Sequence, residues 1–243
     1  MNKKPYLWIE NSSRERLADQ LAGDIALVIN HAIVTKGQAI VALSGGSTPT
    51  LMFAALSQCD IDWSKTVITL VDERCVDDQH VLSNARFIKH KLLDALPETV
   101  TFIPLFYPQT SNLKDISAKI LSQYCTVTNS KLGDLTPFDV VILGMGADGH
   151  TASFFPDADN IDSLVDADTR EYILSCESSN TQVPRITWSL RMLIDTKMLA
   201  LHINGSDKKK VFEKAARGGD AATLPIRSAI FQNKTRLNVY YAD

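Results

Sequence analysis

The sequence lacks the charge pattern of a nucleic-acid-binding protein. Its 243 residues carry 25 Lys and Arg against 28 Asp and Glu, a formal net charge of -3. Nucleic-acid binders usually show a basic excess or a basic stripe. The run Lys208–Lys210 is too short to follow a phosphate backbone. We therefore expect no nucleic-acid partner, and an anionic ligand must be bound by a few placed groups.

Paired cysteines and long apolar runs are also missing. The four cysteines are scattered and form no C-x-x-C pair, which favours free thiols in a reducing compartment. No apolar run follows the two N-terminal lysines, as it would in a signal peptide. No stretch approaches the roughly 20 apolar residues of a spanning helix. We expect a cytoplasmic location and no membrane partner, and the oligomeric state, monomer or homodimer, stays open.

Several catalytic and structural signatures are absent too. The chain has no repeat and no Pro/Gly/Ser-rich linker, which predicts a single domain over residues 1–243. It has no H-E-x-x-H and no His/Cys cluster, so we expect no metal. The Gly-Lys-Ser/Thr end of a Walker phosphate-binding loop and the Gly-x-Ser-x-Gly motif around a nucleophilic serine are missing as well.

The sequence does contain an alternation of strand-like and helix-like segments. All-apolar runs such as Ala39–Leu43 are typical of strands buried on both faces. The patterns predict strands at 39–43, 66–71, 100–105, 138–143, 197–203 and 237–241, and helices at about 13–34, after Pro49, after a Ser83 cap, at about 112–125 and at 206–217. This order predicts an α/β fold, a mostly parallel, Rossmann-like open sheet with helices on both faces. Such sheets bind ligands beyond the carboxyl ends of their strands, where the strand order reverses.

A glycine-rich turn follows the predicted strand 39–43. Glycines let the backbone turn tightly and approach a ligand closely. Ser47 or Thr48 could cap the next helix, with Pro49 in its first turn, and free N–H groups would then form an anion site. The alternative is a well-capped βα turn without a ligand. The candidate phosphate-binding residues are Ser44, Gly45, Gly46, Ser47 and Thr48.

Three charged residues, Asp72, Glu73 and Arg74, follow the strand that ends at Val71. An arginine at a strand exit can bind a phosphate or carboxylate through two parallel hydrogen bonds. Asp72 or Glu73 could orient that arginine or act as a base. A solvated loop is the alternative reading of the same residues.

The segment 144–153 presents an acid and a histidine at a glycine-rich strand exit. Gly144–Gly149 matches G-x-G-x-x-G, but no long amphipathic helix follows and the motif comes late in the alternation, which argues against a dinucleotide site. Histidine suits proton transfer near neutral pH. We expect His150 to transfer protons and Asp148 to hold its imidazole or to contact the substrate. No role is assigned to the other histidines: His31, His80, His90 and His202.

Two more cations fall near predicted strand ends. Arg185 follows a polar loop, and Lys208 comes just after the strand ending at Ile203. Either could be solvated surface. Because several anion-binding groups recur at strand ends, we expect both to contact an anionic substrate.

Together these segments resemble the 6-phosphogluconolactonase family. The resemblance covers most of the chain. The matching segments are Leu43–Pro49, Val71–Arg74 followed by Ser83 and Asn84, and Gly144–Ser153 followed by Phe155 and Pro156. Arg185 and Lys208 stand where the family has an arginine and a lysine. It implies hydrolysis of 6-phospho-D-glucono-1,5-lactone to 6-phosphogluconate in the oxidative pentose phosphate pathway, with His150 as general base. Under it no metal or cofactor takes part, Asp148 supports the histidine or contacts the substrate, and Arg74 or a backbone N–H stabilises the oxyanion.

The sequence leaves two alternative functions open. Glucosamine-6-phosphate deaminases are similar at the glycine turn and at Asp148–His150, but they carry an acid after the histidine where this chain reads Thr151–Pro156. A non-catalytic sugar-phosphate sensor would share the fold. The roughly twelve residues before the first predicted helix leave little room for the DNA-binding helix-turn-helix that such regulators carry.

Overall fold

The structure, a computed structural model, describes residues 4–107, 124–125, 135–179 and 181–243. Within these ranges the strands are β1 (Tyr6–Glu10), β2 (Ala39–Leu43), β3 (Thr66–Leu70), β4 (Asp72–Arg74), β5 (Thr101–Ile103), β6 (Phe138–Leu143), β7 (Ile173–Cys176), β8 (Arg185–Trp188), β9 (Thr196–Asn204) and β10 (Leu237–Ala242). The α-helices are α1 (Arg14–Lys36), α2 (Thr50–Leu56), α3 (Asn84–Lys91), α4 (Ile161–Leu164), α5 (Leu190–Ile194), α6 (Ser206–Ala215) and α7 (Ile226–Phe231).

Seven strands form a central sheet in the order β1-β10-β9-β6-β2-β3-β5. Every neighbouring pair in it is parallel. Its central strands are buried along their whole length because they are apolar on both faces. The strand order runs one way from β2 through β3 to β5 and the other way from β6 through β9 to β10. The order therefore reverses between β2 and β6, where a ligand crevice is expected.

A second, antiparallel sheet of three strands, β4-β8-β7, stands beside the first. Arg74 of β4 pairs with Arg185 of β8, and Asp72 pairs with Thr187. The two sheets are joined directly, because the Trp188 backbone N–H donates to the Val71 carbonyl, between β3 and β4. The small sheet thus brings Asp72, Arg74 and Arg185 to the carboxyl edge of the central sheet.

Helix α1 covers the middle of the central sheet, contacting β2, β6, β9 and β10. Ser13 caps its start by accepting from the Arg16 N–H, and Gly37 ends it at φ 82°, a left-handed conformation that favours glycine. By length and composition alone α1 is apolar enough to cross a membrane. Eight of its residues are buried in the fold, which accounts for that apolarity.

Most of the predicted elements are confirmed. The strands at 39–43 and 138–143 have the predicted bounds, and the Ser83 cap precedes α3 and accepts from the Arg86 N–H. The predicted helix at 112–125 lies, apart from residues 124–125, outside the described residues. Asp72–Arg74 form β4, so the alternative reading of these residues as a solvated loop is wrong. Strands β1, β7 and β8 are not among the predicted elements.

Candidate functional site

A cleft of about 330 Å³ opens at the carboxyl ends of β2 and β6, where the strand order reverses. Its volume falls at the lower end of the range usual for small-molecule sites. Ten of the eleven residues predicted for the site line it, and the eleventh, Asp148, is hydrogen-bonded to one of them, His150. The ten are Ser44, Gly45, Gly46, Ser47, Thr48, Asp72, Arg74, His150, Arg185 and Lys208.

The turn after β2 presents backbone N–H groups to this cleft. Ser44 anchors it, because its hydroxyl donates to the Ile142 carbonyl of β6 at 2.8 Å. Gly46 has a φ of 93°, which the absence of a Cβ permits. Within the described part of the chain, none of the N–H groups from 45 to 48 donates to another residue. Four unused donors in one turn form a concave site for an anion.

The predicted helix cap in this turn is wrong. Pro49, not Ser47 or Thr48, is the N-cap of α2, and no side chain caps the helix. The chain makes an additional turn first, in which the Thr50 hydroxyl donates to the Ser47 carbonyl. With only seven residues, α2 contributes a small dipole. The anion-binding capacity of the turn rests on its own N–H groups.

Asp148 and His150, which follow the end of β6, are hydrogen-bonded to each other. Nδ1 of His150 lies 2.6 Å from Oδ1 of Asp148, and the His150 backbone N–H donates to the same oxygen at 3.1 Å. Burial acts to raise the pKa of Asp148, but the hydrogen bond and charge of His150 outweigh it and the pKa is lowered. An ionised carboxylate only accepts hydrogen bonds, so Nδ1 carries the proton. When the ring is uncharged, Nε2 is then free to take a proton.

The glycines of this segment leave room for the pair. A Cβ on Gly146 would overlap Nδ1 of His150 and Oδ1 of Asp148. Gly149 adopts a φ of 80°, and its carbonyl accepts from the Ile226 N–H at the start of α7. The carbonyl of His150 accepts from the Gly146 N–H at 2.8 Å. Of the three glycines that match the dinucleotide fingerprint, Gly146 is the one that makes room for the histidine.

Opposite this pair the small sheet places two arginines side by side. Arg74 Nη1 donates to the Leu82 carbonyl and, at 2.7 Å, to Oδ1 of Asn84. Arg185 Nη1 lies 3.7 Å from Oδ2 of Asp72, and its guanidinium stacks 5.0 Å from the ring centre of Phe155. Within the part of the chain that the structure describes, Nε of both arginines is buried without a hydrogen-bond partner. Burial lowers the pKa of Arg185, opposed by Asp72 and reinforced by Arg74.

The two acids before Arg74 have different surroundings. Asp72 accepts from the Ser153 hydroxyl at 2.5 Å and lies beside Arg185, so it orients that arginine. Glu73 instead accepts from the N–H groups of Asn84 and Ala85 at the start of α3. Burial raises the pKa of Glu73 despite these hydrogen bonds. Glu73 caps a helix, and within the described residues it makes no hydrogen bond to the Arg74 guanidinium, so Asp72 remains the candidate of the two acids suggested as orienter or base.

Lys208, in the first turn of α6, reaches back to the glycine-rich segment. Its Nζ donates to the Met145 carbonyl. Burial lowers the pKa of Lys208, partly offset by the charge of Asp148. The ammonium therefore lies in the cleft, beside the glycine-rich segment that carries Asp148 and His150.

Two cleft residues with polar side chains, Asn84 and His202, were not assigned by sequence reasoning. Asn84 was noted only for its place in the family resemblance, yet it joins Arg74 to the Asp72 carbonyl through Oδ1 and Nδ2. His202, near the end of β9, was given no role and lines the cleft. No motif surrounds His202, and only the strand register brings it to the site. Among the described residues, no group of three or more His, Cys, Asp or Glu is arranged to hold a metal.

Comparisons with known proteins agree with this geometry. A 6-phosphogluconolactonase of Mesorhizobium japonicum is 39% identical over all of this chain and 98% of its own length, and one of Rhizobium meliloti is 39% identical over 93% and 94%. The crystal structure of a Shewanella baltica 6-phosphogluconolactonase superposes with a TM-score of 0.89, at 31% identity and covering 98% of both chains. The family model described as glucosamine-6-phosphate isomerases/6-phosphogluconolactonase matches residues 12–239. The chain belongs to this family of sugar-phosphate isomerases and lactonases.

Proposed function

We propose that this chain hydrolyses 6-phospho-D-glucono-1,5-lactone to 6-phosphogluconate, as one cytoplasmic α/β domain without metal or cofactor. The observation that carries the proposal is the Asp148–His150 pair, which leaves Nε2 free beside a cleft rich in anion-binding groups. The relatives named 6-phosphogluconolactonase match almost the whole chain and favour the lactone among sugar phosphates.

His150 acts first as a base and then as an acid. Nε2 removes a proton from a water molecule as its oxygen adds to the lactone carbonyl carbon, and the carbonyl oxygen becomes an oxyanion. The intermediate then collapses, the ring C–O bond breaks, and the imidazolium returns its proton to the departing ring oxygen. Asp148 stabilises the imidazolium between the two steps. Such general acid–base catalysis accelerates a reaction about 10²–10⁴-fold. Because the lactone is already an activated ester, its hydrolysis needs little further acceleration.

The oxyanion and the phosphate need separate donors. Arg74 lines the cleft with a partly buried guanidinium, so Arg74 or an N–H of the glycine turns donates to the oxyanion. The phosphate is held by the free N–H groups of residues 45–48, with Arg185 and Lys208 supplying charge. Asp72 keeps Arg185 in place.

Deamination of glucosamine 6-phosphate fits the site less well. Residues Thr151–Phe155 after the histidine include no carboxylate, and Asp72 is engaged by Ser153 and Arg185. A sensor without catalytic activity would have no use for a histidine whose Nδ1 is held by an acid.

The test uses freshly generated 6-phosphogluconolactone. Acid release is followed above the spontaneous rate, and ammonia release from glucosamine 6-phosphate is measured in parallel. We expect lactone hydrolysis that falls at least 10²-fold in His150→Ala and is unchanged in His90→Ala, which alters an exposed histidine outside the cleft. Ammonia without lactone hydrolysis would support the deaminase, and binding without turnover would support the sensor.

A further inference from the structure

His202 is a second histidine at the site, and the mechanism above does not use it. It is the seventh residue of the nine-residue strand β9. The β6–β9 ladder ends with Leu143 paired to Leu201, so His202 stands level with Gly144, where the glycine-rich segment begins. Its side chain lines the same cleft as His150 and Lys208.

The imidazole of His202 has no hydrogen-bond partner in the described residues. Only 4% of His202 is exposed, and Nδ1 is shielded from solvent and unpaired. Buried polar groups are hydrogen-bonded in the great majority of cases, so each exception calls for a ligand, a water or a function. Because protein encloses Nδ1, the ring meets the cleft with its opposite edge, which carries Nε2.

Burial also fixes the charge of this ring. Desolvation lowers the pKa of His202 to about 4, so the imidazole is neutral near pH 7. A neutral imidazole has one donor and one acceptor nitrogen. Placing the hydrogen on Nε2 directs the donor at the cleft and leaves enclosed Nδ1 as the bare nitrogen. In this tautomer His202 offers the cleft a neutral donor, whereas the arginines and Lys208 are charged.

We propose that His202 is a substrate-contact residue whose Nε2–H donates a hydrogen bond to an oxygen of the sugar lactone. A neutral donor suits a hydroxyl or carbonyl oxygen, whereas the phosphate already has cations and four free N–H groups. The contact adds specificity, because a sugar that cannot supply the oxygen leaves a buried imidazole unpaired. This inference rests on the proposed lactonase function.

Two substitutions separate the contact from simple packing. His202→Leu fills the buried space but removes the donor, and His202→Gln keeps an amide N–H near the position of Nε2. The control is Leu201→Val, a buried change at the adjacent position, whose side chain points to the opposite face of β9. The readouts are KM and kcat for the lactone, and the Kd for 6-phosphogluconate by calorimetry.

We expect His202→Leu to raise KM and the Kd for 6-phosphogluconate about tenfold, the effect of one hydrogen bond. His202→Gln should recover at least half of that loss on a logarithmic scale, and Leu201→Val should leave both constants within twofold of wild type. A folded His202→Leu with wild-type KM and Kd would overturn the inference, as would a Gln variant no better than Leu. A wild-type protein that neither hydrolyses the lactone nor binds 6-phosphogluconate would instead reject the proposed function.

Discussion

Nδ1 of His150 and Oδ1 of Asp148 lie 2.6 Å apart, and the same carboxylate oxygen accepts the His150 backbone N–H. The two bonds fix both the rotation of the ring and its tautomer. The carboxylate is two residues away in sequence, so the pair is built within one loop and needs no other element to align it. Nε2 is therefore oriented before any substrate binds.

Replacing Asp148 by Asn should reduce kcat far more than it changes KM. The amide keeps the shape but can present its N–H to Nδ1, which favours the tautomer with the proton on Nε2 and removes the charge that stabilises imidazolium. We expect a loss of about 10²-fold or more in kcat, measured as initial rates of acid release. Asp168→Asn, at an exposed loop position, is the matched control and should retain full activity. An Asp148→Asn variant with wild-type kcat would remove Asp148 from the mechanism.

Gly146→Ala should inactivate the protein, whereas Gly144→Ala should not. A Cβ at Gly146 would overlap both Nδ1 of His150 and Oδ1 of Asp148, but a Cβ at Gly144 meets nothing within 4 Å. Neither glycine has a positive φ, so the comparison isolates the steric effect. We expect at least a 10²-fold loss of kcat in Gly146→Ala with a Tm near that of Gly144→Ala. Equal activity of the two variants would contradict the packing described for the pair.

The extent to which the sequence predicts this structure varies with how apolar each segment is. Strands such as 39–43 were predicted to the residue, because a run that is apolar on both faces has few other solutions. The strand Asp72–Arg74 was missed because three charged residues carry no strand pattern. Its pairing with β8, over a hundred residues away, determines its conformation. Local patterns do not encode such a contact.

In the candidate site, too, contacts within one segment could be predicted and contacts between distant segments could not. Asp148 and His150 lie two residues apart in one motif, so their pairing could be predicted from the sequence. The positions of Asn84 and His202 depend on contacts between distant segments, and neither residue lies in a motif that predicts its contact. The cap predicted for α2 is wrong for a local reason, because Pro49 rather than Ser47 or Thr48 occupies the N-cap position.

Gly45→Ala should weaken substrate binding through Asn84. A Cβ at Gly45 would overlap the Asn84 side chain, which accepts from Arg74 Nη1 at 2.7 Å and donates to the Asp72 carbonyl at 2.9 Å. Displacing Asn84 frees Arg74 to move, so we expect KM to rise about tenfold, equivalent to one lost hydrogen bond. Gly23→Ala, on α1 with nothing within 4 Å, should leave KM unchanged. An unchanged KM in Gly45→Ala would show that Asn84 does not position the arginine.

His202 should make the fold sensitive to mild acid. Burial lowers its pKa from 6.5 to about 4, so between these values the unfolded chain binds a proton that the folded chain does not. The free energy of unfolding therefore falls as the pH decreases through this window, by about 2 kcal/mol between pH 7 and pH 5. His202→Leu removes the titrating group and should flatten this dependence. Leu201→Val, which alters the core without changing a charge, should keep the wild-type slope at a lower stability. Urea unfolding at pH 5, 6 and 7 measures all three proteins, and parallel slopes for wild type and His202→Leu would show that the ring is not held neutral by burial.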